Sequence, residues 1–407
     1  MNDPVFKSAR EGGFVLWEEI ARDGAQAKTL LSAQQRVELA RAHAAMFGPD
    51  GSSHLVFAAG FPSVCEEEFA AVRQVAQEVR ECSVAVHART TKADIELSLQ
   101  ALENACHGRI SVFFPTSESM SQALCGCDAR ETLRKSMEVI HWAIENAGNV
   151  AIDVAFADAS RSEPDLMIEA SQVLADAGVR LIKLCDTVGS MLPGECYNMF
   201  RGVVQAAPAE VLIGAHLHND YGLALANNLE AIRAGVRLVA ASWLGIAERN
   251  GLASTEQLLF LLGHPQAQVA ERLGVSDALW KSSPDLRRIV PIASRVSALT
   301  GVPRKITDPI SGTALNSIST GTPFTNPDLF QPFDPDKVLG VPRRVELTQL
   351  ANRSVITAIA SELGFELDEA GVKAALRWVK QCAFARCQAI VPRDEFAQFL
   401  SGLGIES

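Results

Sequence analysis

Tyrosine is almost missing from this chain, with 2 residues among 407 and none beyond Tyr221. Histidine stops early too, the last being His264. Residues 265–407 therefore hold neither imidazole nor phenol, so proton transfer has to draw on earlier residues or on carboxylates. No stretch reaches ~18 uninterrupted apolar residues, and MNDPVFKSAREGGF has no basic segment followed by an apolar core. Neither a spanning helix nor a secretory leader is predicted, and a cytoplasmic protein is the expectation. Paired C-x-x-C units are absent. The 9 scattered cysteines fit reduced thiols better than a disulfide frame, and Cys125-Gly126-Cys127 is spaced too tightly for tetrahedral zinc. Positive charge is in deficit as well: 37 Lys and Arg against 48 Asp and Glu leave a net charge of -11. That balance speaks against non-specific binding to nucleic acid or to an anionic membrane, and leaves small molecules as the expected partners.

What remains is a well-packed composition, 48% hydrophobic and 21% charged, in a chain long enough for one domain of roughly 250 residues and a smaller appendage. Eight β-rich runs alternate with helical segments: FVLWEEI from Phe14, HLVFAAG from His54, CSVAVHAR from Cys82, RISVFFP from Arg109, VAIDVAFA from Val150, VRLIKLCD from Val179, VLIGAHLH from Val211 and VRLVAASWLG from Val236. The helix after Leu31 opens with a capping box, Ser32 and Gln35, and is expected to close at Gly48. Glycine stops are expected at Gly108, Gly148, Gly178, Gly235 and Gly263. Leu133, Met137, Ile140 and Ile144 form one apolar stripe for packing on a sheet. AGVRL occurs at 177–181 and again at 234–238, marking two equivalent helix-to-strand joints. Eight such units predict an α/β fold, a (β/α)8 barrel.

In VLIGAHLHND the alternation of a strand puts His216 and His218 on one face, about 7 Å apart, a spacing suited to two ligands of one metal ion. In a barrel, chemistry gathers at the C-terminal ends of the strands. Polar residues fall there: Arg22, Asp23 and Gln26 after the first strand, His87 and Arg89 on the third, Thr116, Ser117 and Glu118 after the fourth, Asp158 and Arg161 after the fifth, Asp186 and Thr187 after the sixth, and Glu248, Arg249 and Asn250 after the eighth. Closure brings the first strand within one neighbour of the seventh, so Asp23 can reach the metal of His216 and His218.

Beyond Gly263 the pattern changes. Residues 301–346 carry 7 of the 18 prolines and predict an extended arm rather than a packed element. Helical periodicity returns at about 347–363 and in DEAGVKAALRWVKQCAFA. The expected division is a barrel at 1–265, linker helices and the Pro-rich arm at 266–346, and a helical C-terminal domain at 347–407.

RDGAQ at 22–26, GFP at 60–62, DTVG at 186–189, HLHND at 216–220 with the following GLA and AN, and GIAERNG at 245–251 together resemble the motifs of the DRE-TIM metal-dependent barrel enzymes. Those enzymes include isopropylmalate synthase, homocitrate synthase and hydroxymethylglutaryl-CoA lyase. The likeness continues more weakly through DPISGTALNSISTGTPF at 308–324 and FQPFDP at 330–335. It implies that Asp23, His216 and His218 ligate a divalent metal, Mg or Mn ahead of Zn or Co. It further implies that Arg22 neutralises oxyanion charge, that Gln26, Arg89 and Thr187 contact substrate, and that acetyl-CoA is condensed with a 2-oxo acid.

The departures lie in the pocket. Ala157 and Ala58 stand where the family carries carboxylates. Leu252 stands where it carries an asparagine ligand, with Asn250 the candidate replacement. The histidine and tyrosine that the synthases bring from the C-terminal arm have no counterpart. His87 becomes the first barrel candidate for proton transfer, with the carboxylates Glu248, Glu118 and Asp308 behind it. Three readings follow: a carbon-carbon-forming acyltransferase, a metal-dependent retro-aldol lyase, and a non-catalytic 2-oxo-acid or acyl-CoA sensor. In the related synthases the arm crosses to a partner's barrel mouth, so a homodimer is expected, with Thr320, Gly321, Thr322 and Pro323 in the crossing segment.

Overall fold

The computed structural model describes residues 3–275, 279–320, 323 and 326–403, which fall into two units, Met1–Arg304 and Lys305–Ser407. In the first unit β1 (Val15–Glu18), β2 (Leu55–Gly60), β3 (Ser83–Arg89), β4 (Gly108–Pro115), β5 (Ala151–Ala157), β6 (Leu181–Asp186), β7 (Leu212–Leu217) and β8 (Leu238–Ala241) close into a parallel barrel in chain order. The closing seam pairs Val15 with Leu238 and Glu18 with Ala241. Strands covered on both faces are apolar on both faces, which is why VLWE and LVFAAG are buried throughout.

The interior is filled unevenly. Trp17 projects inward among Val56, Ala58, Ala85 and Ala240, small neighbours that leave room for one large ring. Lys183, also fully buried, lies with its Nζ 3.3 Å from the centroid of that ring. A helix at Pro4–Arg10 stoppers the N-terminal end of the barrel, setting Val5 and Ala9 against Val15, Leu181 and Leu238. Asp3 caps this helix through the Phe6 amide and pairs with Arg109. With one end closed, the C-terminal end of the strands is left as the working face.

The helix predicted after Leu31 runs Ala33–Ala44, and its capping box is formed: the Gln35 amide donates to Ser32 Oγ and the Ser32 amide to Gln35 Oε1. It stops short of Gly48, because residues 45–50 tighten into a 3-10 turn containing Pro49, where Gly48 takes a positive φ. The two AGVRL joints are built alike. Gly178 and Gly235 both take positive φ, and Arg180 and Arg237 each reach back to a carbonyl five residues earlier, on Ala175 and Ile232. Two expected glycine stops are corrected. Gly108 is the first residue of β4, and Gly263 is the last helical residue of Thr255–Gly263, where a Cβ would come within 2.7 Å of Pro284.

In the second unit the Pro-rich stretch is more structured than an extended arm. Ser317–Ile318 pairs in parallel with Arg344–Val345, and Pro335–Leu339 is a short helix with Leu339 buried. Within the expected crossing segment, Gly321 and Thr322 lie outside the described residues. The helix expected from about 347 begins at Arg353, because Asn352 caps it through the Val355 amide. It packs with Glu369–Arg386 and Arg393–Gly402 around Val355, Ile359, Val372, Val379, Phe396 and Leu400.

Candidate active site

Where β1 ends, the chain turns sharply: the amides of Arg22, Asp23 and Gly24 all donate to the Glu19 carbonyl, which opens the short helix Asp23–Gln26. The turn tips Asp23 into the barrel mouth. His216 lies on β7, and His218 just beyond it is held by an isolated bridge to Leu252 and by its amide on the Asp186 carbonyl. Asp23, His216 and His218 are all buried, and one ligand atom from each lies within 4.8 Å of the others. The two imidazoles are 5.2 Å apart between centroids.

The electrostatics suit a cation. Burial pushes the Asp23 carboxyl upward, but the Arg22 guanidinium at 3.2 Å and His216 at 3.4 Å prevail and hold it well below the usual carboxylate range. Burial, with His216 beside it, lowers His218 to about 4, so the ring is neutral near pH 7 and keeps a lone pair to offer. Its buried Nδ1 has no hydrogen-bond partner among the described residues. Burial disfavours the charged form of His216, but Asp23 and Glu19 prevail and raise its affinity for a proton, which a divalent ion would have to displace. With that proton gone, two imidazoles and one carboxylate, with a buried nitrogen of His218 left unsatisfied, fit an ion bound by mixed N and O donors.

Arg22 is clasped from both sides, by Glu19 at 2.8 and 3.2 Å and by Asp23. His87 reaches the same cluster through Glu19, its Nε2 3.5 Å from Glu19 Oε1. Burial, and next the charge of Arg22, lower His87 to about 3, which makes it a neutral imidazole. Gln26 accepts from Arg22 at 3.2 Å at the exposed rim.

The other sequence candidates are engaged elsewhere. Glu248 contributes its backbone amide to Asp23 Oδ1 at 2.8 Å while its carboxylate faces Arg249. Asn250 donates to Asp220 at 3.4 Å and is not among the three clustered ligand residues. Arg89 is held bidentately by Asp94 at 2.7 and 2.9 Å. Thr187 Oγ1 accepts from the Asp158 amide, and Glu118 accepts from the Ala129 amide. Asp158 pairs with Arg161 and accepts from the Ser117 hydroxyl, while Asp186 holds Ser160 and the Met191 amide. These last contacts knit the loops of the mouth together.

Two residues escaped sequence reasoning. Glu19, fully buried at the hub of Arg22, His87 and His216, was hidden in the tandem Glu18-Glu19, whose two carboxylates point to opposite faces of β1. A pair of acids at the end of an otherwise apolar strand was the available signal. Lys183, a lone cation in LIKLCD, was the other.

A family model described as HMGL-like matches residues 15–296. A probable 2-isopropylmalate synthase of Methanopyrus kandleri is 30% identical over 373 residues, covering 90% of this chain and 69% of its own. The 2-isopropylmalate synthase 1 of Caldanaerobacter subterraneus is 28% identical over 387 residues, 93% of each chain. Among solved structures, hydroxymethylglutaryl-CoA lyase of Pseudomonas aeruginosa has a TM-score of 0.56 at 20% identity, covering 72% of this chain and 94% of that one, a likeness of fold.

Proposed function

Since this chain belongs to the HMGL-like, DRE-TIM family of barrel enzymes, we propose that it is an acyltransferase that condenses acetyl-CoA with a 2-oxo acid and releases CoA. The observation that carries the choice is the extent of the likeness. The synthase relatives align over 90% and 93% of this chain, whereas the lyase spends 94% of its own length on 72% of it. The alignment with synthases thus takes in residues that the lyase structure does not reach.

Asp23, His216 and His218 are the residues that would hold the divalent ion, with Mg or Mn our choice ahead of Zn or Co. A bound ion would polarise the ketone of a chelating 2-oxo acid. Arg22, locked in place by two carboxylates, stabilises the oxyanion that forms as the ketone carbon is attacked. The methyl of acetyl-CoA must lose a proton to make the attacking carbon, and the new alkoxide must gain one; water then cleaves the thioester to free CoA. We assign the proton transfers to His87 on its position in the cluster, with the Glu19 carboxylate 3.5 Å away to stabilise the cation it would become against the burial and the Arg22 charge that disfavour it. Gln26 at the rim beside Arg22, and Thr187, Arg89 and Asn250 around the mouth, are the proposed substrate contacts. For Arg89 and Asn250 this requires release from Asp94 and Asp220. Glu248 serves through its amide, which steadies Asp23. A cytoplasmic location and a homodimer complete the reading; a single species of monomer mass in sedimentation at micromolar concentration would remove the dimer.

The test is CoA release, followed with a thiol reagent, across a panel containing 2-oxoisovalerate, oxaloacetate, 2-oxoglutarate and phosphonopyruvate, with and without Mg or Mn. Release with at least one acid, dependent on the ion, is expected; silence across the panel with metal present overturns the proposal. A second reading, a retro-aldol lyase on the same centre, is favoured by the absence of His and Tyr from residues 265–407. Release of pyruvate or acetyl-CoA from a hydroxy-acid substrate, without condensation, would select it.

A further inference from the structure

We propose that Glu19 is the positioning residue of this centre, fixing which nitrogen of His216 faces the ligand cluster and holding Arg22 beside it. The inference rests on the metal reading of Asp23, His216 and His218 but not on the identity of the 2-oxo acid.

His216 is caught between two carboxylates. Its Nδ1 is 3.5 Å from Glu19 Oε1, and its Nε2 is 3.4 Å from Asp23 Oδ2, on the side where the ligand atoms converge. A neutral imidazole carries one proton, and the nitrogen that carries it has no lone pair for an ion. With Glu19 present, the proton is held on Nδ1 and Nε2 is left bare toward the cluster. Without Glu19, the carboxylate left against the ring among the described residues is Asp23, and the proton is drawn to Nε2, the atom that should bind. Glu19 thus chooses the tautomer, as a carboxylate behind a metal-bound histidine does in general.

The same carboxylate does a second job. Its Oε2 takes the Arg22 Nε at 2.8 Å and its Oε1 the Nη2 at 3.2 Å, a two-point grip that leaves Nη1 to reach Asp23 and Gln26. Glu19 is fully buried, and its carboxylate meets Arg22, His87 and His216. A buried charge is costly unless it is paired, and its partners here include a candidate ligand and the proposed oxyanion-stabilising arginine.

The experiment uses the full chain, stripped of metal and titrated with Mn2+ alone, in wild type, Glu19→Ala and Glu19→Gln. Mn2+ should bind roughly 10–100-fold more weakly to Glu19→Ala, the range for loss of a partner behind a ligand. Glu19→Gln should fall between, since its amide oxygen still accepts from Nδ1 but no longer neutralises Arg22. In the metal-free proteins, at a pH high enough to leave the His216 ring neutral, its ring 15N signals, identified by their loss in His216→Gln, should report Nδ1–H in wild type and a shift toward Nε2–H in Glu19→Ala. A folded Glu19→Ala with wild-type Mn2+ affinity and an unchanged His216 tautomer overturns the proposal. If Glu19→Ala fails to fold, Glu19→Gln decides by the same two readouts; if neither folds, Glu19 serves the barrel's stability and the proposal is likewise overturned. Activity is a separate matter: a wild type that binds Mn2+ but releases no CoA across the panel defeats the acyltransferase reading and leaves the role of Glu19 standing.

Discussion

At the N-terminal end of the barrel, Arg109 is gripped by Asp153 at two distances of 2.8 Å and by Asp3 at 2.7 Å. At the C-terminal end Arg22 is gripped in the same way by Glu19 and Asp23. Each is one guanidinium between two carboxylates, yet the two clusters differ in what surrounds them. Around Arg109 the side-chain charges answer one another, and a helix closes the space. Around Arg22 two histidine nitrogens, His87 Nε2 and His218 Nδ1, are buried without hydrogen-bond partners among the described residues. Burial lifts the Asp153 carboxyl above its usual range even beside Arg109, whereas Glu19 and Asp23, equally shielded from water, are held below theirs by Arg22 and the histidines. A cluster that satisfies itself serves the fold, and one that leaves donors and acceptors open is built for something that arrives later.

The contrast is sharpest when each cluster is broken. His218→Ala removes a proposed ligand and should cut kcat/KM on the order of 10³-fold, with bound metal lost by elemental analysis. The exposed control His141→Ala should keep both. Equal metal content in His218→Ala and wild type would erase the functional side of the comparison. At the other end, Arg109→Met strands two carboxylates and should lower unfolding stability by roughly 3–5 kcal/mol in urea titration. Its kcat at a temperature where it remains folded should match wild type; a variant that keeps its stability but loses turnover would reverse the assignment of the two ends.

Within the upper cluster, His87→Ala should lower kcat by roughly 10²-fold or more and change KM little, since an acid-base group acts chiefly in the transition state. Should His87→Gln retain nearly full kcat and raise KM for the oxo acid, the residue clamps substrate and the base must be sought among the carboxylates.

The smallest effect concerns Glu18, the neighbour of Glu19 on the opposite face of β1. Burial raises its carboxyl from 4.5 to about 8, against the pull of the Thr255 hydroxyl and the Ile20 and Trp243 amides. Between those values the folded protein keeps a proton that the unfolded chain has released, so stability falls as pH rises from 4.5 to 8 and is level beyond. Glu18→Gln mimics the protonated acid and should flatten that slope, by roughly a few degrees of Tm between the two ends of the window. A slope unchanged by the substitution would mean that Glu18 is ionised in the fold.

All eight strands, the capping box at Ser32 and the paired AGVRL joints were legible in the sequence, because each depends on local chemistry or on the period of a single element; the convergence of Asp23 on His216 and His218 was legible only through the closure of the expected barrel and the resemblance of its motifs. The uses of Arg89, Asn250 and Glu248 were not. Each was chosen by its place at the mouth, but a long polar side chain takes the partner that the neighbouring loop presents. For Arg89 that partner is Asp94, five residues on, and for Asn250 it is Asp220, thirty residues back.

The sequence by itself determined the barrel and the positions of its candidate metal ligands, since a two-residue period and a glycine-stopped helix are properties of short stretches of chain. Only the tertiary structure decided that Glu19 rather than Glu18 joins the site. In a closed parallel barrel both faces of every strand are apolar, so alternation tells which residues share a face but not which face turns inward. That choice was made by closure, when Val15 to Glu18 paired with Leu238 to Ala241 and set Trp17 and Glu19 toward the axis.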